Sequence, residues 1–281
     1  MRVRARVAFT APDDRARELL SRYGLRSKAK DSSVVYIFVD DENYEPFVNE
    51  LEQQEYHPVV FKEPVFTKKE MESAEFFEVS LVAQWGYPQP EDDFGYEKIS
   101  FDQSTACPLC GQGATQIKPY FISGYPKFGR SDITALFWTY DLLIDRRLKD
   151  LIEGAKLTGV EFWPLFVYSD KGQGKPVEGA YELYITHELP PAAPSTEFPI
   201  VNRLPRGMKP CRCGRLGRNL PLQFHYERRD LDGAMDFNKT HEWLGGALGT
   251  TRVEIVSREV YELFTQNKIR GVKFSAVAIE D

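Results

Sequence analysis

The four cysteines of the chain are the residues best suited to chemistry, and they lie in two pairs, each followed by glycine. Two residues separate Cys107 from Cys110, and one separates Cys211 from Cys213. A close thiolate pair before a glycine is typical of a tight turn whose sulfurs face one metal ion, and four sulfurs suit a tetrahedral structural zinc site. The sequence therefore predicts zinc bound by Cys107, Cys110, Cys211 and Cys213. Because such a site has no open coordination position, zinc there would stabilise the fold and would not catalyse.

Two other states of these cysteines stay open from the sequence. The pairs lie much farther apart in the chain than those of ordinary zinc ribbons. The entropy of loop closure grows only slowly with loop length, so a folded insertion between the pairs is tolerable. Free buried thiols are one alternative, and redox-active or disulfide-bonded pairs are the other. Four cysteines in 281 residues are too few for a disulfide scaffold, which favours the metal site.

Strings of residues typical of enzymes are missing from the sequence. None of the four histidines lies in a zinc-protease motif or a nucleophile elbow, and the segment 172–175 lacks the spacing of a phosphate-binding loop. His241 and Glu242 beside Trp243 could form an acid-base pair, although a core or surface position is the commoner fate of such residues. We therefore predict no catalytic residues and a function that is not enzymatic.

A repeated segment predicts the helices and strands that position the cysteines. Residues Ile144 to Leu165 and Val256 to Val277 are two versions of one unit, and each follows a cysteine pair. Asp145 and Ser257 are good N-cap residues, so each unit should begin with a helix. Glycine then ends the helix, and a strand follows. The two helices should occupy equivalent places in a pseudo-symmetric arrangement, because their apolar positions coincide in phase.

The remainder of the pattern predicts an α+β protein with two domains. Residues 1–85 are predicted to form a small sheet with helices on one face. Segments with apolar residues at every second position, typical of strands, take turns along the chain with segments whose apolar residues have helical spacing. A proline-rich and acidic connection, 86–93, should separate this domain from a β-rich region, 95–281. That region should hold two zinc-knuckle hairpins, with a β-strand segment at 98–101 before the first cysteine pair, and the duplicated helix-strand unit. The proline-rich piece 188–199 should link the two copies.

Charge and composition limit the partners. The net charge of −6 argues against nonspecific binding to nucleic acid or anionic membranes, and no apolar run is long enough to span a bilayer, so we expect a cytoplasmic protein. A basic row recurs at every third residue and could grip phosphate as a zinc-ribbon-like nucleic-acid site; otherwise it is a solvated loop. Its members are Arg203, Arg206, Lys209, Arg212, Arg215 and Arg218. An aromatic group between the first cysteine pair and the first repeat should be core or a surface for a protein partner, and comprises Phe121, Tyr125, Phe128, Phe137, Trp138 and Tyr140.

The two cysteine-glycine motifs, together with the repeated units around Gly159 and Gly271, resemble the double-CXXCG motif proteins of myxobacteria. The resemblance covers roughly residues 95–281. Members of that family are associated with immunity to toxins delivered between neighbouring cells. The resemblance therefore implies a small protein that binds and neutralises a partner toxin. The second motif here, Cys211 to Gly214, lacks one spacer residue of the family pattern.

Overall fold

The chain divides between Ser73 and Ala74 into two units. The computed structural model describes residues 1–11, 13–27, 34–169, 174–201, 209–246 and 249–281. Helices and several sheets are present, so the predicted α+β class is confirmed. The division lies earlier than the expected boundary after residue 85, because the strand Phe76–Leu81 pairs with strands of the C-terminal unit.

The N-terminal unit is a three-stranded antiparallel sheet packed against two helices. Its elements are β1 (Arg2–Ala8), α1 (Asp13–Arg22), β2 (Val34–Phe38), α2 (Tyr44–Gln53), β3 (Val59–Val65) and α3 (Lys68–Ser73), and the strand order is β2-β1-β3. Alternate residues of β1, Ala5 and Val7, are fully buried against Leu19 of α1 and Phe47 of α2. Burying a phenylalanine such as Phe47 contributes about 1.5–3 kcal/mol, so this face holds the unit together.

The C-terminal unit contains the cysteines and most of the strands. Its strands are β4 (Phe76–Leu81), β5 (Phe101–Asp102), β6 (Thr115–Gln116), β7 (Phe121–Ile122), β8 (Ile133–Ala135), β9 (Leu142–Asp145), β10 (Val160–Val167), β11 (Lys175–Ile185), β12 (His225–Glu227), β13 (Phe237–Lys239), β14 (Leu244–Gly246), β15 (Gly249–Thr251), β16 (Glu254–Ser257), β17 (Val272–Ala276) and β18 (Ala278–Glu280). Its helices are α4 (Gly95–Ser100), α5 (Arg146–Gly154) and α6 (Arg258–Gln266), with short 3-10 turns at Asp92–Phe94, Gln103–Thr105 and Arg228–Leu231.

Both repeat helices begin where the sequence predicts. The Asp145 side chain accepts a hydrogen bond from the backbone N–H of Leu148, 2.8 Å away, and the Ser257 hydroxyl accepts one from Val260, 3.4 Å away. Each bond satisfies a backbone donor at the first turn, which has no partner within the helix. The predicted helix-strand order is therefore confirmed in both copies, as α5-β10 and α6-β17.

Two sheets of this unit have the same strand order. One runs β7-β10-β11-β9-β8 and the other runs β17-β4-β16-β13, so β10, β11, β9 and β8 correspond to β17, β4, β16 and β13. Their registers also agree, because Glu182 of β11 lies opposite Leu143 and Glu78 of β4 lies opposite Ile255. The parallel pair β12 and β18 matches the parallel pair β7 and β10. The predicted pseudo-symmetry is borne out by this common topology.

The two copies exchange their first strands. Glu78 and Glu182 are 104 residues apart in the chain, the same spacing as Cys107 and Cys211, so β4 and β11 are the opening strands of two tandem copies. Nevertheless β4 pairs with β16 and β17 of the second copy, and β11 pairs with β9 and β10 of the first. Neither sheet is complete without a strand from the other copy. The duplication is therefore longer than the repeated segments recognised in the sequence.

Reciprocal hydrogen bonds join the two copies outside the sheets. The Asp132 carboxylate accepts the backbone N–H of Arg270 at 2.9 Å, and the Asp236 carboxylate accepts that of Thr158 at 2.7 Å. Each aspartate comes directly before β8 or β13 and holds the loop that follows the repeat helix of the other copy. The same contact occurs twice with the roles of the two copies reversed. The two copies are therefore arranged like the subunits of a two-fold symmetric dimer, although they belong to one chain.

Glycine is required in the two loops that receive these bonds. Gly159 and Gly271 have φ angles of 81° and 103°, in the left-handed region. A Cβ atom on Gly159 would lie 2.1 Å from the carbonyl oxygen of Phe237, and one on Gly271 would lie 2.4 Å from that of Ile133. The backbones of the two copies approach too closely here for any side chain.

The surroundings of the cysteines differ from the expected hairpins. Residues 98–100, expected to be a strand, belong to α4, and only Phe101 and Asp102 pair with β6. Around the second cysteine pair, the described residues show two isolated bridges, one between Ile200 and Arg218 and one between Arg218 and Gly245. No helix in the described part of the chain is long and apolar enough to cross a membrane.

Candidate metal centre

The four cysteine sulfurs converge on one point of the C-terminal unit. All four lie within 4.8 Å of one another, with 4.0 Å between Cys107 and Cys211 and 3.6 Å between Cys110 and Cys213. Tetrahedral zinc with bonds of about 2.3 Å places its sulfurs roughly 3.8 Å apart. The two shortest contacts are close to this spacing, and the four residues could hold a metal ion.

The first cysteine turn is closed by its own backbone. The N–H of Gly111 donates to the carbonyl oxygen of Cys107 at 2.8 Å, and the N–H of Cys107 donates to that of Gln112 at 2.9 Å. Gly111 has a φ of 72°, which glycine adopts without strain. Backbone N–H groups of Leu109 and Cys110 point at the Cys107 sulfur and lower its pKa to about 6. The lowered pKa favours the thiolate form that a metal needs.

The second turn keeps the same closure with one residue fewer. The N–H of Gly214 donates to the carbonyl oxygen of Cys211 at 2.9 Å, and the N–H of Cys211 donates to that of Leu216 at 3.1 Å. The backbone N–H of Arg215 also donates to the Cys213 sulfur, at 3.4 Å. The missing spacer residue changes the turn and does not prevent both sulfurs from facing the first pair.

Equivalent cysteines face each other across this centre. Cys107 is next to Cys211, and Cys110 is next to Cys213, as expected for a site on a two-fold axis that relates the copies. Cys107 is buried, whereas Cys213 is exposed. Partial burial raises the pKa of Cys110 to about 12, so this thiol would lose its proton on binding an ion. The chemistry of the donor set fits a closed thiolate site that joins the two copies.

The basic row around the second pair is partly used inside the protein. The Arg215 guanidinium donates to the carbonyl oxygens of Thr105 and Gln112, at 3.0 and 3.3 Å, and so ties the second turn to the first. Arg218 lies over the ring of Phe198, 5.6 Å from its centroid. Lys209 and Arg212 are exposed, and Arg203 and Arg206 lie outside the described residues. The row is therefore not one continuous exposed ladder of cations.

The histidines do not assemble an acid-base site with Glu242. The ring of His241 contacts Glu188 at 2.8 Å, and the carboxylate of Glu242 instead accepts the backbone N–H of Ala192 at 2.9 Å. His225 contacts Glu280 at 2.9 Å, and His187 contacts the amide oxygen of Asn238 at 2.7 Å. His241 is exposed and Glu242 is buried, in agreement with the core or surface positions that the sequence favoured over an acid-base pair.

Lys239 and Asp141 form a buried ion pair near the metal centre, which the sequence did not indicate. The Lys239 ammonium donates to Asp141 at 2.9 Å, and the Tyr120 hydroxyl donates to the other oxygen of Asp141 at 2.6 Å. Burial lowers the pKa of Lys239, but Asp141 and Glu254 more than offset this, so the net shift is upward and the ammonium stays charged. A lysine and an aspartate far apart in the chain carry no local signal of burial.

The predicted aromatic group is divided between core and surface. Tyr125 and Tyr140 are exposed, whereas Phe137 and Trp138 are half-buried and contact the ring of Tyr87. Comparison with known proteins adds no identification, because no protein-family model matches the chain and no curated protein is similar to it.

Proposed function

We propose that the chain is a noncatalytic cytoplasmic binding protein whose two tandem copies are tied together by a structural zinc ion. The convergence of four sulfurs, two from each copy, carries the proposal. Cys107, Cys110, Cys211 and Cys213 would hold the ion as thiolates. The ion would supply a cross-link and no chemistry, since four protein ligands leave it no position for a substrate.

The proposed partner is a protein toxin that this chain neutralises. The resemblance to double-CXXCG immunity proteins motivates this, and exposed apolar side chains next to the cysteine turns support a protein partner. Leu109 and Ile117 near the first pair are 61% and 54% exposed, and Ile200 and Leu220 near the second are 65% and 46% exposed. Exposed apolar groups of this size suit contact with another protein more than contact with water.

Co-expression tests the proposal. Each candidate toxin encoded beside this chain would be expressed in a heterologous host with and without it, and growth and complex formation would be measured. We expect protection and a complex of fixed stoichiometry. Leu109→Glu should weaken the complex, whereas Val59→Glu, at a position of the N-terminal unit that is 52% exposed, is the matched control.

Two results would contradict this function. One is the failure of every candidate toxin to bind or to be neutralised. The other is protection by amounts of this chain far below those of the toxin, because a binding protein acts by stoichiometric occupation and an enzyme acts by turnover.

A further inference from the structure

A cavity of about 350 Å³ lies beside the metal centre in the C-terminal unit. Its volume is in the range of sites for small organic molecules. Aromatic side chains from both copies line it, namely Phe94, Tyr96, Phe101, Trp138, Tyr184 and Trp243. The ring of Trp243 already carries the guanidinium groups of Arg215 and Arg252, 6.0 and 5.3 Å from its centroid, so the other rings are the ones open to a ligand. The faces of aromatic rings attract cations as well as apolar groups.

The charged groups of the wall leave a negative charge unbalanced. Lys239 is paired with Asp141, and Arg252 is paired with Glu188. Glu97 also lines the cavity, and its carboxylate makes no ion pair or hydrogen bond with any residue that the structure describes. Each cation that lines the cavity is thus already paired with a carboxylate, whereas the Glu97 carboxylate at the exposed edge has no cationic partner among the described residues.

The aromatic part of the wall is held in an uncommon backbone conformation. Phe94 and Trp138 have φ angles of 53° and 72°, in the left-handed region that bulky residues rarely adopt. Their ring centroids are 4.7 Å apart. Such conformations cost energy and persist where the surrounding structure imposes them, and they occur often at binding sites.

The strands beside the cavity carry a charged pair where the equivalent strands of the first copy carry an apolar pair. Lys239 and Glu254 lie opposite each other on β13 and β16. The equivalent pair on β8 and β9 is Ala135 and Leu142. The duplicated scaffold therefore folds with apolar residues at these positions, and the charge that Lys239 brings to the cavity wall is not required by the topology.

We propose that this cavity binds an organic cation, an alkylammonium or guanidinium group, with the aromatic wall around its charge and the Glu97 carboxylate as its counter-ion. This inference goes beyond the proposed function and does not depend on a toxin partner. The cation could belong to a small free amine or to a lysine or arginine side chain of another protein, since the recognising chemistry is the same.

Titration of the whole protein with matched probes tests the inference. Choline is compared with its neutral carbon analogue, 3,3-dimethylbutan-1-ol, and with benzoate, by calorimetry at low salt. We expect choline to bind at least about tenfold more tightly than the neutral analogue, as a desolvated cation on an aromatic face implies. Nα-acetyl-lysinamide and Nα-acetyl-argininamide form the second arm. Tighter binding of either amide assigns the site to a protein side chain, and tighter binding of choline assigns it to a free amine.

Variants of the residues that line the cavity test whether choline binds there. Glu97→Gln should weaken choline binding about threefold to tenfold, and Phe94→Leu should weaken it as well, whereas Glu259→Gln on α6 removes the same charge elsewhere and should change nothing. Both Glu97 and Phe94 are exposed, so their variants should fold. Equal affinity for choline and its neutral analogue would overturn the inference. So would preferential binding of benzoate, or a Glu97→Gln variant that binds choline as well as the parent protein does.

Discussion

Removal of the metal should destabilise the C-terminal unit alone. Zinc held by two cysteines of each copy would tie Cys110 to Cys213, which are 103 residues apart. The cross-link restricts the unfolded chain, because residues so distant must then stay together when the unit unfolds. A chelator removes this restriction and leaves the folded strands unchanged.

The size of the effect follows from the length of the loop. Closing a loop of about 100 residues removes chain entropy worth about 4.7 kcal/mol at 25 °C. For a unit of 150–250 residues, each 1 kcal/mol shifts the melting temperature by about 2–4 °C. Chelation should therefore lower the melting temperature of the C-terminal unit by roughly 10–20 °C.

Tryptophan fluorescence isolates this unit in the assay. All four tryptophans lie after Ala74, so their fluorescence reports the C-terminal unit, while far-ultraviolet circular dichroism follows both units. The N-terminal unit has no cysteine and provides the control, since its transition should not move when chelator is added. Cys213→Ser should melt at the lower temperature with or without chelator.

Elemental analysis measures the zinc content of the purified protein and so tests this prediction. One zinc ion per chain is expected in protein purified without chelator. Absence of zinc, or a shift below about 3 °C in protein shown to lose its zinc, would refute the argument from loop closure. A disulfide between Cys107 and Cys110 in freshly purified protein would also refute it.

Two further predictions concern the packing of the copies. Gly159→Ala should destabilise the C-terminal unit by more than about 2 kcal/mol in urea unfolding, because the new Cβ would clash with the carbonyl oxygen of Phe237. The control is Gly154→Ala at the end of α5, where the new Cβ would meet open space, and this change should be neutral or stabilising. Equal effects of the two changes would contradict the close approach of the backbones at Gly159. Burial raises the pKa of Glu78 from 4.5 to about 7, so the folded unit retains a proton that the unfolded chain releases, and stability should fall as pH rises from about 4.5 to 7. Glu78→Gln should remove this loss, leaving the variant up to about 3 kcal/mol more stable at pH 8 and little changed at pH 4.5, and a variant no more stable at pH 8 would contradict the assignment.

Local features of the fold could be predicted because local physics decides them. Asp145 and Ser257 cap the repeat helices through backbone groups three residues away. The helical spacing of apolar residues and the glycine after each helix are equally local signals. The convergence of the cysteines could also be predicted, since two thiolate pairs in one chain share a single economical explanation.

One local expectation was wrong because neighbours in space decided the structure. Residues 98–100 were expected to be a strand and form the end of α4, whose Ser100 is fully buried. Adjacency in the chain allowed a pairing of His241 with Glu242, although the sequence favoured a core or surface position for these residues. Folding gave His241 the distant carboxylate of Glu188 instead.

The sequence by itself determined the class of the protein, the position of its repeat helices and the identity of its candidate metal ligands. Only the tertiary structure decided that β4 and β11 exchange places and that Lys239 is buried beside Asp141. A strand pairs through backbone groups that every residue carries, so its own sequence does not name its neighbour. A buried ion pair depends on two residues far apart in the chain, and its desolvation is compensated only once the fold brings them together.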